Sequence, residues 1–167
     1  VAVTLLRHTR PAVADGVCYG RTDLDLADSF DTEVAAVMDV LPPFSCLVSS
    51  PLTRCRRLAA RLSVRTKHEV SLARDWQEMD FGMWEGVAWE AIPRPEIDAW
   101  AMDFLGYDGH GGESVAALRA RVERGLSDLP DGALVVTHAG CIKAALDVAG
   151  RPGAWDHKTP FGGFVTL

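Results

Sequence analysis

Apolar residues in this chain gather in short unbroken runs rather than in strict alternation. VAVTLL (1–6), CLVSS (46–50) and ALVVT (133–137) are the clearest. Continuous apolarity over four to six residues suits a strand covered on both faces, as in a parallel sheet packed between helices. HEVSL (68–72) and GFVTL (163–167) predict two further strands. Helical spacing fills the intervals. DTEVAAVMDVL predicts a helix starting at Asp31 or Thr32, both good N-cap types, and ending before Pro42-Pro43. PLTRCRRLAARL places Pro51 at a first helical position and aligns Leu52, Cys55, Leu58, Ala59 and Leu62 on one face. ESVAALRARVERGLSDL sets Val115, Leu118, Val122 and Leu126 on one stripe with its charges outside it. AGCIKAALDVAG buries Ile142, Ala145, Leu146 and Ala149 and leaves Lys143 and Asp147 exposed at i,i+4. Strands alternating with helices predict an α/β domain with a largely parallel sheet.

The stretch from about Leu72 to Gly112 breaks this rhythm. It holds all but one of the tryptophans, many glycines and prolines, and only short helical pieces such as 96–104. Long excursions in compact domains are often functional. The expected organisation is one domain, 1–167, with 73–112 as an insertion covering one end of the sheet.

Composition narrows the partners. A length of 167 residues suits a single core. A formal net charge of −6 argues against nucleic acid or an anionic membrane. An anionic substrate therefore requires a local cluster of positive charge. No run reaches the roughly 18–20 apolar residues of a membrane span, and the first residues lack the basic and long apolar regions of a secretory signal. Cys18, Cys46, Cys55 and Cys141 show no paired spacing. They read as reduced thiols, mostly buried, in a cytoplasmic protein. Nothing here sets an oligomeric state.

Candidate chemistry follows the three clearest strands. The first leads to Arg7-His8, the second to Pro51-Leu52-Thr53-Arg54, the third to His138-Ala139-Gly140. Parallel sheets bind ligands at the carboxyl ends of their strands, so two histidines and two arginines are expected to meet there. The latter two strands run into helices whose N-terminal N–H groups favour an anion. Taken singly, each residue reads as a structural histidine or a solvated charge. Arg56, Arg57, Arg61 and Arg65 are assigned to a solvated helix face, and His68, His110 and His157 to structural or surface positions.

These residues, with SSPLTRC, EMDFGMWEG and VVTHAG, resemble the histidine phosphatase superfamily, which includes cofactor-dependent phosphoglycerate mutases; the blocks span 3–140 in the family's order. The resemblance implies an α/β/α sandwich and phosphomonoester chemistry with neither metal nor other cofactor. It makes His8 the nucleophile, Arg7, Arg54 and His138 the clamp on the phosphoryl oxygens, and Glu78 the acid/base, with Glu85 as rival and an ordinary loop acid as the plain alternative. Phosphoryl transfer asks chiefly for positioning and charge neutralisation, which planar guanidiniums supply. His8 needs one neutral ring nitrogen, so its other N–H is expected on a carbonyl. Glu78 must protonate the leaving alkoxide, a role that apolar neighbours such as Met79, Phe81 and Trp84 would favour.

Two departures stand out. Thr9 occupies the position where the family usually has glycine, and Ala14 the position of a common asparagine. Tyr19, Arg21 and Thr22 are the candidate substitutes for substrate contact. LLRHTRP and GVCYGRTDLDLADSF look most like the α-ribazole phosphatase branch of cobalamin biosynthesis, for which Trp76, Trp84, Trp89 and Trp100 could present an aromatic wall. A broad-specificity phosphatase for sugar phosphates or phosphoamino acids is the alternative. A mutase, expected to need longer insertions, and a non-catalytic binding protein rank below.

Overall fold

The computed structural model describes residues 2–167. The five apolar runs form one sheet: β1 (Thr4–Arg7), β2 (Cys46–Ser49), β3 (Val70–Leu72), β4 (Ala133–Thr137) and β5 (Phe164–Thr166). The order is β3-β2-β4-β1-β5. The first four strands are parallel, and β5 runs antiparallel to β1. Val1, the start of the first predicted run, lies outside the described residues. β4 is buried along its whole length, as its unbroken apolarity requires.

Among the described residues there are five helices, α1 (Phe30–Val40), α2 (Thr53–Thr66), α3 (Arg94–Met102), α4 (Val115–Ser127) and α5 (Ala139–Val148), and all but α3 pack on the faces of the sheet. Successive strand side chains alternate between faces. Leu6, Leu47, Leu134 and Val136 pack with Val34 and Val37 of α1 and with Cys55, Leu58 and Leu62 of α2. Leu5, Val48 and Val135 face the other way, onto Leu118 and Val122 of α4 and Ile142 and Ala145 of α5. The result is a three-layer α/β/α sandwich. Leu134 sits at the centre of the first layer contact with no exposed surface; truncating it to Ala costs about 2–5 kcal/mol, the range for buried leucines.

Helix starts differ from the sequence reading. α1 begins at Phe30, not at Asp31 or Thr32, because Phe30 is itself buried and Ser29 precedes it as the cap residue. α2 begins at Thr53, leaving Pro51 before the cap. Its first turn is held by a distant carboxylate instead: Asp23 accepts from the Thr53 N–H at 2.8 Å and from its hydroxyl at 2.9 Å. Lys143 does not pair with Asp147, whose carboxylate is taken by Arg119 of α4 at 2.6 Å.

Segment 73–112 carries α3 and three 3₁₀ turns, Arg74–Trp76, Gly82–Trp84 and Trp89–Ala91. It has a small core of its own in which Trp84 and Ile92 meet Cys18. Cys18, Cys55 and Cys141 are buried free thiols and Cys46 a half-buried one. Among the described residues no helix is long and apolar enough to cross a membrane.

Candidate active site

The sheet places the site. β4 lies between β1 and β2, and the ladder continues one residue past the strands: the His8 N–H donates to the Thr137 carbonyl at 3.1 Å and the Ser50 N–H to the Val136 carbonyl at 2.9 Å. Arg7-His8, Ser50 and Thr137-His138 therefore end side by side. The helices after β1 and β2 lie on one face and the helix after β4 on the other, so a crevice opens at this switch point. The His8 and His138 rings meet edge to face, their centroids 5.2 Å apart.

His8 is 2 % exposed, and its Nδ1 lies 2.7 Å from the Thr9 carbonyl. A carbonyl only accepts, so Nδ1 carries the proton and the lone pair resides on Nε2. Burial, then the Arg54 charge, drives the His8 pKa well below 6.5; the bond to Thr9 opposes this and Arg7 adds to it. The ring is thus a neutral base with a fixed tautomer. His138 is held likewise, its Nε2 2.9 Å from the Ser50 hydroxyl and 3.4 Å from the Cys55 thiol. Burial first, and Arg54 second, also keep its pKa well below 6.5.

Arg54 has no exposed surface. It donates to the Thr22 carbonyl at 2.7 Å and to the Gly20 carbonyl, and its Nε is buried without a partner. Gly20 is required at that position: a Cβ there would strike the Met79 carbonyl. Arg7 donates to the Thr159 carbonyl at 2.7 Å, lies 4.0 Å over the Phe161 ring and also has an unpartnered buried Nε. Neither guanidinium enters an ion pair among the described residues. Burying a cation with no counter-charge costs several kcal/mol, a cost that an incoming anion removes.

Glu78 completes the set. One carboxylate oxygen accepts from its neighbour's N–H, that of Met79, at 2.9 Å, and the other from the Gly140 N–H in the first turn of α5 at 3.0 Å. A Cβ at residue 140 would occupy the space of that carboxylate. Its first contacts are thus N–H donors, not the apolar side chains expected from EMDFGMW. Glu85, the rival acid, is turned away and accepts from the Thr22 N–H and hydroxyl.

Arg7, His8, Tyr19, Glu78 and Gly140 line a cavity of about 310 Å³. Its remaining walls are mostly apolar, with Phe81, Trp89, Trp100, Phe104 and Trp155 among them. Trp89 stacks on Trp100 and Trp100 on Phe104, with interplanar angles of 14° and 19°. Two of the four tryptophans expected in this wall are elsewhere: Trp76 and Trp84 are buried in the cores. Arg54 and His138 lie behind the lining rather than in it.

Of the three candidate substrate contacts only Tyr19 reaches the cavity. Thr22 offers its carbonyl to Arg54, and Arg21 donates to the Glu78 carbonyl at 3.2 Å. Ala14 is exposed, in a loop beside the site, and Thr9 is fully buried with its hydroxyl unpartnered. His110 is buried, its Nδ1 accepting from the Gly112 N–H. Sequence reasoning misses Lys143, Phe104 and Trp155. The i,i+4 relation of Lys143 to Asp147 hides its role, yet it lines the cavity instead. Trp155 is the one tryptophan outside 73–112, brought back by the turn after α5.

The arrangement is a nucleophile-competent imidazole beside two guanidiniums and a carboxylate, at the end of a parallel sheet. Comparison with known proteins agrees with it. Residues 3–157 match the histidine phosphatase superfamily (branch 1). The crystal structure of TTHB049 from Thermus thermophilus superposes with a TM-score of 0.82 at 28% identity, covering 100% of this chain and 92% of that one. Phosphoglycerate mutase from the same organism gives 0.81 and 29%, again over 100% and 92%. Bifunctional protein Rv2228c of Mycobacterium tuberculosis is 31% identical over 156 residues, 87% of this chain. The chain spans only 43% of that relative's length. With the family's match reaching from β1 to the end of the turn after α5, the chain belongs to the histidine phosphatase superfamily.

Proposed function

We propose that the protein is a metal-independent phosphomonoesterase acting through a phosphohistidine on His8, and that its substrate is α-ribazole 5′-phosphate. His8 Nε2 attacks phosphorus and the ester P–O bond breaks. Glu78 gives a proton to the departing alkoxide. Water then attacks phosphorus, Glu78 takes its proton, and the P–N bond breaks to restore His8. Arg7 meets the phosphoryl oxygens at the cavity wall, while Arg54 and His138 act from behind it.

One observation carries this reading. A neutral, Nδ1-locked imidazole lies beside two guanidiniums, Arg54 fully buried and Arg7 half-buried, neither of which enters an ion pair among the described residues. Such a pair favours an anion, which offsets the cost of the buried charge, and the imidazole offers that anion a lone pair. The substrate assignment rests on the α-ribazole branch resemblance and on the stacked Trp89, Trp100 and Phe104, which match a planar heteroaromatic group.

The structural likeness to a phosphoglycerate mutase favours a second reading, transfer between positions of a small acid. The largely aromatic wall suits such a small, highly charged substrate less well. Hydrolysis of p-nitrophenyl phosphate in excess chelator, lost in His8→Ala, is the expected result; activity that chelator abolishes would overturn the metal-independent mechanism. A panel of kcat/KM values for α-ribazole 5′-phosphate, sugar phosphates, phosphoserine and 3-phosphoglycerate then decides the substrate. Equal values leave a broad-specificity phosphatase, and isomerisation of 3-phosphoglycerate restores the mutase.

A further inference from the structure

The peptide chain leading into Glu78 is held by side chains rather than by a neighbouring strand. The carbonyls of Asp75 and Gln77 each accept from Arg121 Nη1 at 2.8 Å. The Trp76 carbonyl accepts from the Thr137 hydroxyl at 2.8 Å, and the Gln77 carbonyl also from the Cys141 thiol at 2.9 Å. The Glu78 carbonyl accepts from Arg21 Nε at 3.2 Å and from Arg121 Nη2 at 3.5 Å. Four successive carbonyls are thus each held by a side chain, and Arg121 serves three of them.

Arg121 is itself fixed. Glu113 grips it with both oxygens, at 3.0 Å to Nε and 2.8 Å to Nη2. The Glu113 N–H donates to the Asp80 carbonyl at 2.8 Å, closing a loop around residue 78. The two side chains are only 12 % and 16 % exposed. An ordinary buried ion pair would satisfy Glu113 alone. Here the remaining donors of the guanidinium are spread over the backbone that precedes one site carboxylate, a task that needs its rigid fork and that an ammonium cannot copy.

We propose that Arg121, set by Glu113, is a positioning residue that fixes the Glu78 peptide and hence the distance of its carboxylate from the leaving oxygen. This rests on the reading of Glu78 as the acid/base. A shift of about 1 Å at such a group is worth about 10²-fold in rate. The dependence differs between esters. A poor leaving group requires the proton from Glu78, whereas p-nitrophenolate departs with little help.

The test uses Arg121→Lys and Glu113→Gln in the full chain, with the single-turnover rate of phosphoenzyme formation as readout. For an alkyl phosphate that rate should fall about 10²-fold, with KM little altered. The loss on p-nitrophenyl phosphate should be at least tenfold smaller. In a Glu78→Gln background Arg121→Lys should add almost nothing, as expected for groups that act as a unit. An equal loss on both esters, or a loss that adds to that of Glu78→Gln, overturns the proposal and leaves Arg121 a merely structural ion pair. Glu113→Gln preserves size and carries the same test if Arg121→Lys does not fold. Absence of any His8-dependent hydrolysis in the wild type would instead refute the phosphomonoesterase reading beneath it.

Discussion

His8 and His138 are bases that the folded chain keeps from protonating. Both have pKa values well below 6.5, first through burial and then through Arg54. The unfolded chain binds the protons that the folded one refuses, so stability falls as pH drops below 6.5. Each ring contributes a slope of about 1.4 kcal/mol per pH unit there. Thermal melts between pH 7 and pH 5 should show a shallower loss for His138→Gln than for the wild type. Nitrogen chemical shifts of His8 should still report the neutral Nδ1–H tautomer below pH 6.5; a titration near 6.5 would contradict the buried site. Arg54 makes a complementary case. Arg54→Met should lower kcat, by no more than the about 10²–10³-fold lost with a direct donor to a developing anion, while the melting temperature holds or rises because an unpaired buried charge is gone. The positions of these residues were legible in the sequence because each belongs to a strand end, the histidines directly after β1 and β4 and Arg54 in the first turn of the helix that follows β2. Arg121 was not: its helix pattern marks it as outside the apolar stripe, and nothing local says that it reaches back to 75–78.

At the scale of elements, most strand ends were readable to within a residue or two, since a sheet buried on both faces leaves a run of apolar residues; β1 is the exception, starting at Thr4, three residues into its run. Helix starts were harder. The cap of α2 is a carboxylate thirty positions away in sequence, invisible to rules that look for Ser or Asp beside the first turn. The N-terminus of α5 shows how an element supports the chemistry. Its Gly140 N–H holds Glu78, and the missing Cβ makes room for that carboxylate. Gly140→Ala is favoured by helix propensity by up to about 1 kcal/mol, yet it must expel Glu78. The expected outcome is a variant with near-native melting and turnover close to that of Glu78→Gln. Full activity in it would show that the carboxylate does not need this seat.

Across the whole molecule, a net charge of −6 coexists with a focused basic site, so anion selectivity is local. The cavity joins that site to aromatic rings from 73–112 and from the turn after α5. Trp100, stacked between Trp89 and Phe104, is their hub. Trp100→Ala should raise KM for esters of planar aromatic alcohols about 2–10-fold, the range for one lost ring contact of about 0.5–1.5 kcal/mol, and leave esters of small aliphatic alcohols less affected. Equal changes for both would assign the stack to packing alone. The pocket's composition was half legible: tryptophans cluster visibly in 73–112, but which of them face inward depends on packing between distant segments.

The strand order has a kinetic consequence. β1 and β2 bond to β4 and not to each other, although well over a hundred residues separate β1 from β4. A growing chain that has already emerged with its first histidine and Arg54 therefore holds two unzipped edges until Thr137 arrives. Such long-range pairing is slow and leaves sticky intermediates. An anion that needs both strand ends binds only once β4 is in place, so added phosphate should leave the insertion step unchanged and stabilise only the species in which Thr137 is paired.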